Sequence, residues 1–296
     1  MAVQLSGSIP ALITPMNRGG SLDLPSFERL IRHVIDAGST AIVPVGTTGE
    51  SPTLSHDEHH TIVESAIRNA KGRVPVIAGA GSNSTSEAID LAKYAESAGA
   101  DAILSVAPYY NKPTQEGLYQ HFAAIADSIR IPVILYNIPG RSVVEISVET
   151  IARLASIGNI IGIKDATTNL FRPLQVRQAV GSQDFTQLSG EDGTAVAFLA
   201  AGGAGCISVT ANVAPELCAG VQSLWQERKI SEAIALQDRL TPLHDTLFCE
   251  SNPGPVKYAA SLLGLCGETC RLPLVPLSDA SKAKVRAALV SAGLLN

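Results

Sequence analysis

The chain has 296 residues, of which 46 % are hydrophobic, 17 % charged and 4 % aromatic, and 22 Lys plus Arg against 27 Asp plus Glu leave a net charge of −5. That length suits two ordinary domains or one α/β barrel of roughly 250 residues, and either can bury a core without disulfides. The mildly acidic balance argues against a nucleic-acid partner, whose phosphates select an excess of Lys and Arg, and no run of about 18 apolar residues points to a membrane span.

In chain order, short apolar, β-rich runs fall at 8–12, 41–45, 74–78, 102–106, 133–136, 160–164, 185–188 and 206–209. Successive starts lie about 20 to 35 residues apart, which leaves room for a crossover helix in each gap. Most gaps carry a helix pattern. Phe27, Leu30, Ile31, Val34 and Ile35 form one apolar stripe stopped by Gly38; Ile62, Val63, Ala66 and Ile67 repeat it, and Ala88, Leu91, Ala92 and Ala95 do so before Gly99. Ser55-x-x-Glu58 and Ser84-x-x-Glu87 have the form of capping boxes, in which each side chain satisfies a free backbone N–H of the other residue.

The strands read as nearly continuous apolar runs, as expected of a parallel sheet covered by helices. Eight strand–helix units favour an α/β fold of the (β/α)8 TIM-barrel type over residues 1–226, with an open eight-stranded sheet as the alternative. Residues 227–296 carry helical patterns at 231–247, 255–263 and 279–290, and are expected to form a C-terminal helical extension. Residues 1–16 hold no basic side chain, so the positive start of a secretory signal is missing and a cytoplasmic protein is expected. Cys206, Cys218, Cys249, Cys266 and Cys270 are odd in number and late in the chain, and are read as reduced and mostly buried.

In a barrel the active site lies at the C-terminal strand ends. Lys164 ends the apolar run 160–164, so its amine is expected over the barrel core. Burial disfavours the charged form of an amine, and a neutral amine is what a Schiff-base nucleophile needs. The plainer alternative is a strand-end lysine that stays in solvent or pairs with Asp165. Tyr136 ends the preceding run, where a phenol beside an amine can relay protons, or can simply pack its ring. Thr47 and Thr48 stand between two glycines, in a loop whose hydroxyls and amides suit a carboxylate or form an ordinary turn. His56, His59 and His60 cluster, but they open a helix behind Ser55 and lack the H-E-x-x-H pattern; no histidine falls at a strand end, so metal catalysis is not expected.

Six motifs then carry a resemblance: Gly46-Thr47-Thr48-Gly49-Glu50-Ser51, Pro108-Tyr109-Tyr110-Asn111, Leu135-Tyr136-Asn137-Ile138-Pro139-Gly140-Arg141, Gly162-Ile163-Lys164-Asp165-Ala166-Thr167, Leu188-Ser189-Gly190 and Ile207-Ser208-Val209-Thr210-Ala211-Asn212. In this order they resemble the dihydrodipicolinate synthase (4-hydroxy-tetrahydrodipicolinate synthase) family of pyruvate-dependent class I aldolases. The similarity runs over essentially the whole chain, including Asn252-Pro253-Gly254-Pro255-Val256-Lys257 and Arg271-Leu272-Pro273.

The resemblance implies a lyase that condenses pyruvate with L-aspartate 4-semialdehyde in lysine and diaminopimelate biosynthesis, with no metal or other cofactor. Lys164 would form the imine and Tyr136 act as general acid/base. Thr47 would link Tyr136 to Tyr110, reaching in from a neighbouring subunit of a homotetramer (a dimer of dimers). Thr48 would hold pyruvate's carboxylate and Arg141 that of the semialdehyde, with the carbonyls of Gly190 and Ile207 near the lysine. Sugar-acid aldolases resemble the same barrel, but Thr47 and Arg141 match the synthase pattern. Inhibition by L-lysine is implied at Ser51, His56, His59, Asn83, Glu87 and Tyr109, although Glu87 also has a capping-box explanation.

Overall fold

The computed structural model describes residues 5–296, so the first four residues of the expected 1–226 unit lie outside it. Seven parallel strands, β1 (Gly7–Pro10), β2 (Ile77–Gly79), β3 (Ala102–Val106), β4 (Val133–Asn137), β5 (Ile160–Asp165), β6 (Thr186–Ser189) and β7 (Gly205–Ser208), form one sheet in the order β1-β7-β6-β5-β4-β3-β2. Residues 41–45 close it into a (β/α)8 TIM barrel. On one side the Val43 amide donates to Pro10 and the Leu12 amide to Val43, at 2.9 and 2.8 Å; on the other the Ile77 amide donates to Ile42 and the Gly79 amide to Pro44, at 2.9 and 3.0 Å.

The expected second strand is therefore in place but is only bridged to its neighbours, not regularly paired. Pro10, Pro44 and Pro75 all lie along these two seams and have no N–H to donate, and Val45 turns away at φ 50°. The third strand, expected at 74–78, runs Ile77–Gly79, beside the seam that holds Pro44 and Pro75. The open sheet is excluded by the closure.

Alternation along each strand sorts the core into two layers. Ile9, Val43, Leu104, Ile134, Tyr136 and Ile207 fill the barrel, whereas Ile103, Leu135 and Ile163 face the helices. On helix Leu24–Asp36, Phe27, Leu30, Ile31 and Val34 are fully buried, each contributing about 1.5–3 kcal/mol relative to exposure. Ser55 and Glu58 complete their capping box, with the Glu58 amide on Ser55 Oγ at 3.2 Å and the Ser55 amide on Glu58 Oε2 at 2.9 Å. Ser84 forms only half of one: its hydroxyl accepts from the Glu87 amide at 3.5 Å, but the Glu87 carboxylate is engaged elsewhere. After β7 come helices Pro215–Gln226, Ile230–Thr246, Gly254–Leu262 and Asp279–Ser291, the second packing on the first and the last.

Candidate active site

The β4–β5 register sets Tyr136 beside Lys164 at the C-terminal ends of neighbouring strands. Because Leu135 and Ile163 face outward, both of these side chains turn into the barrel. Lys164 is 5 % exposed and its Nζ lies 4.3 Å from the centre of the Tyr136 ring. The plainer reading, a pair with Asp165, fails. Asp165 Oδ2 accepts from Arg172 Nε at 3.0 Å, and its Oδ1 accepts from the Thr167 amide at 2.9 Å and the Thr167 hydroxyl at 2.5 Å. Arg172 is held in turn by the Ile146 carbonyl at 2.8 Å and by Glu145 at 2.5 Å. Among the described residues Lys164 has no acidic partner within ion-pair distance.

Gly190 follows β6 and leaves the space that the lysine occupies: a Cβ there would stand 3.0 Å from Lys164 Cε and 2.7 Å from Ala166 Cβ. Ile207 on β7 is buried in the barrel layer. Glu191, which sequence reasoning passed over, is half-buried next to this group. Burial pushes its carboxyl up, and Asp192 adds to this, while the Gly193 N–H and the Lys164 charge oppose it.

The loop after 41–45 makes two 3-10 turns, Thr47–Gly49 and Ser51–Thr53, with Glu50 between them in the left-handed region at φ 58°. Thr48 is buried and its Oγ1 accepts from Asn252 Nδ2 at 3.0 Å. Glu50 is buried against Lys257, whose ammonium also donates to the Thr269 carbonyl at 2.5 Å, and the Arg271 amide donates to Glu50 Oε2 at 2.9 Å. The Arg271 guanidinium reaches the carbonyls of Gly20 and Thr53 and the carboxylate of Glu58, which it holds down at a pKa of about 2. These contacts escaped sequence reasoning beyond the motifs Asn252–Lys257 and Arg271–Pro273, because a charge pairing across the chain leaves no local periodicity.

A cleft of about 190 Å³ opens beside the loop, lined among others by Thr47, Ser51, His56, Glu87, Tyr109 and Tyr136; Lys164 is not part of its wall. Glu87 accepts from the Ser82 hydroxyl and meets His56 Nε2 at 2.9 Å, and the Ser82 bond leads in holding its carboxyl low. This replaces the capping role considered for Glu87. His59 also lines the cleft: its Nε2 is 2.8 Å from the Gly79 carbonyl, which requires the proton on that nitrogen, and burial lowers its pKa to about 4. Burial and then the Glu87 charge push the Tyr109 phenol up. Asn83 Nδ2 donates to the Tyr109 carbonyl at 3.1 Å. The six residues are thus neighbours.

Two expected site residues stand apart. Tyr110, at φ 71°, is 89 % exposed and makes no hydrogen bond to Thr47. Arg141 is exposed on the short helix Pro139–Ser142 after β4, and its guanidinium has no partner among the described residues. His56, His59 and His60 diverge: the first meets Glu87, the second a carbonyl, and the third stacks on Tyr94 at 3.4 Å. Among the described residues no three His, Cys, Asp or Glu side chains cluster as metal ligands, and no helix is long and apolar enough to cross a membrane.

A family model described as the dihydrodipicolinate synthetase family matches residues 4–292. A 4-hydroxy-tetrahydrodipicolinate synthase of Gluconacetobacter diazotrophicus is 65 % identical over 290 residues, covering 98 % of both chains. A chloride-inhibited dihydrodipicolinate synthase from Acinetobacter baumannii, solved in complex with pyruvate, superposes with a TM-score of 0.96 at 47 % identity over 99 % of this chain and 100 % of that one. A lysine-bound enzyme of the same name from Cyanidioschyzon merolae gives 0.95 at 38 % identity, covering 98 % and 99 %.

Proposed function

Because the chain belongs to the dihydrodipicolinate synthetase family, and is a lyase, we propose that it condenses pyruvate with L-aspartate 4-semialdehyde through an imine on Lys164. The carrying observation is the inward pair on β4 and β5: an amine 4.3 Å from a tyrosine ring, with the adjacent Asp165 neutralised by Arg172.

In this reading the Lys164 amine adds to pyruvate's keto carbon and water leaves, forming the imine. The imine nitrogen draws electrons, so a methyl proton is lost and an enamine forms without metal or other cofactor. The enamine carbon bonds to the aldehyde carbon, whose oxygen takes a proton. The substrate's own amine then displaces Lys164 as the ring closes to 4-hydroxy-tetrahydrodipicolinate. Tyr136 moves the protons as general acid/base. The Thr48 hydroxyl holds pyruvate's carboxylate, and the carbonyls of Gly190 and Ile207 flank the imine. Unpartnered Arg141 binds the semialdehyde's carboxylate at the entrance, as a guanidinium matches that group with two parallel bonds.

The exposure of Tyr110 supports its delivery to Thr47 of a second subunit, in a cytoplasmic homotetramer arranged as a dimer of dimers. The cleft at Ser51, His56, His59, Asn83, Glu87 and Tyr109 is proposed to take L-lysine as an inhibitor, since an acid and several polar groups suit its ammonium and carboxylate. We assign 1–226 to the catalytic barrel and 227–296 to the extension, which reaches the Thr48 loop through Asn252, Lys257 and Arg271.

Incubation with pyruvate, borohydride reduction and peptide mass mapping test the mechanism. An adduct at Lys164 is expected; no adduct, or one on another lysine, refutes it. Consumption of pyruvate on adding aspartate semialdehyde then separates this reading from a sugar-acid aldolase.

A further inference from the structure

The geometry points to Asn252 as a positioning residue for the substrate's carboxylate, acting through the Thr48 hydroxyl. The inference rests on the reading of Thr48 as the carboxylate holder. A hydroxyl has one hydrogen to give and two lone pairs to receive, and which it offers a ligand depends on what the protein already occupies. Here Asn252 Nδ2 donates to Thr48 Oγ1 at 3.0 Å, with both side chains buried. No protein acceptor among the described residues takes the Thr48 hydrogen. Thr48 is therefore left as a donor, which is the polarity a carboxylate needs.

The amide's own oxygen, Asn252 Oδ1, is buried without a partner. Reversing the amide would leave its nitrogen orphaned instead and turn the Thr48 hydrogen onto the protein. The observed orientation is the one that serves an anionic ligand. Asn252 is also kept from drifting. Five residues on, Lys257 is tied to Glu50, two residues beyond Thr48, so two tethers join the same two segments. The Lys257 amide on the Pro253 carbonyl at 2.9 Å and the Gly254 amide on the Ser251 carbonyl at 3.0 Å brace the turn that carries Asn252.

The test is a double-mutant cycle on the full-length protein, with pyruvate as the varied substrate. Asn252→Leu keeps the bulk and removes the donor without adding charge. It is expected to raise the KM for pyruvate about fivefold to tenfold with kcat changed less than about twofold, the pattern of lost binding common to ground and transition states. In a Thr48→Val background the same substitution is expected to change KM less than about twofold, because its route to the substrate is gone. Asn252→Ala, a simple truncation, serves for the cycle if the leucine variant does not fold. An unchanged KM in Asn252→Leu, or the same rise with and without the Thr48 hydroxyl, overturns the inference while leaving the role of Thr48 intact. A Thr48→Val enzyme with an unaltered KM instead refutes the reading of Thr48 on which the inference stands.

Discussion

Glu50 and Lys257 lie 207 positions apart in the chain and meet as an ion pair whose side chains are 1 % and 0 % exposed. The pair fastens the helical segment after the barrel to the loop that carries Thr47 and Thr48. It also anchors Glu50 at the left-handed joint between the two 3-10 turns, a conformation that strains a residue with a Cβ. Burying both charges is costly in itself, so the pair's role is better judged by breaking it than by counting it.

Lys257→Met leaves the Glu50 carboxylate buried without its cation, and a loss of about 3–5 kcal/mol is expected. The Glu50→Gln/Lys257→Met double variant is expected to recover part of that loss, as neither partner is then left charged. Urea midpoints of the three proteins decide the point; a double variant weaker than Lys257→Met would contradict it.

Gly190→Ala tests the space around Lys164, the proposed nucleophile. The new Cβ would stand 2.7 Å from Ala166 Cβ, so the Ala166 segment must move, and 3.0 Å from Lys164 Cε, which must give by a few tenths of an ångström. A displacement of about 1 Å at a reacting group costs on the order of a hundredfold, and a smaller shift costs less, so the rate of borohydride-trapped adduct is expected to fall by up to about a hundredfold. Gly193→Ala meets only Glu191 Oε1 at 3.6 Å, an ordinary contact, and is expected to behave like the parent protein.

The barrel was legible because its signals are local. Apolar runs at regular intervals mark strands whichever helices cover them, and the register of 133–136 against 160–164 already sets Tyr136 beside Lys164. What was not legible depends on partners distant in sequence. The regular strand at 41–45 gave way to isolated bridges because three prolines line its two seams, and those seams exist only once the barrel closes. Glu87 has the spacing of a capping residue, yet the folded chain offers it Ser82 and His56. Lys257 closes the Asn252–Lys257 motif of the extension, yet its partner lies in a motif that stands out for its threonines.

Tyr136→Phe separates packing from proton transfer. The ring stays beside Lys164 and only the hydroxyl is lost, so the adduct with pyruvate is still expected at Lys164. Turnover is expected to fall about 10²- to 10⁴-fold, the usual worth of a positioned acid/base. Full activity in this variant would remove Tyr136 from the proton relay.

Glu87→Gln addresses the proposed inhibitor cleft. The amide keeps the shape but not the charge that would meet an ammonium, and loss of that charge-assisted bond is expected to raise the half-inhibitory L-lysine concentration about tenfold or more. Initial rates across a lysine titration, at fixed pyruvate, provide the measurement. An enzyme whose rate is unaffected by millimolar lysine before any substitution would refute the inhibitory site itself.

The buried histidines predict how stability depends on pH. Burial lowers the pKa of both His59 and His121 to about 4, against 6.5 in an unfolded chain. Above pH 6.5 each is neutral in both states and contributes no linkage. Between 6.5 and about 4 the unfolded chain takes up protons that the folded one refuses, so stability falls with pH; below 4 both states are protonated and the loss levels off. Each group can account for at most about 3 kcal/mol over that window. His33 and His244 shift in the same direction, again by burial. His121→Leu removes one term: it gives up the contact of Nδ1 with the Thr85 hydroxyl, at 2.9 Å, and so starts about 1 kcal/mol lower at pH 7. It is expected to lose less than the parent protein between pH 7 and 5. Urea midpoints at the two pH values give the comparison, and parallel losses in the two proteins would mean that His121 takes up its proton as readily folded as unfolded.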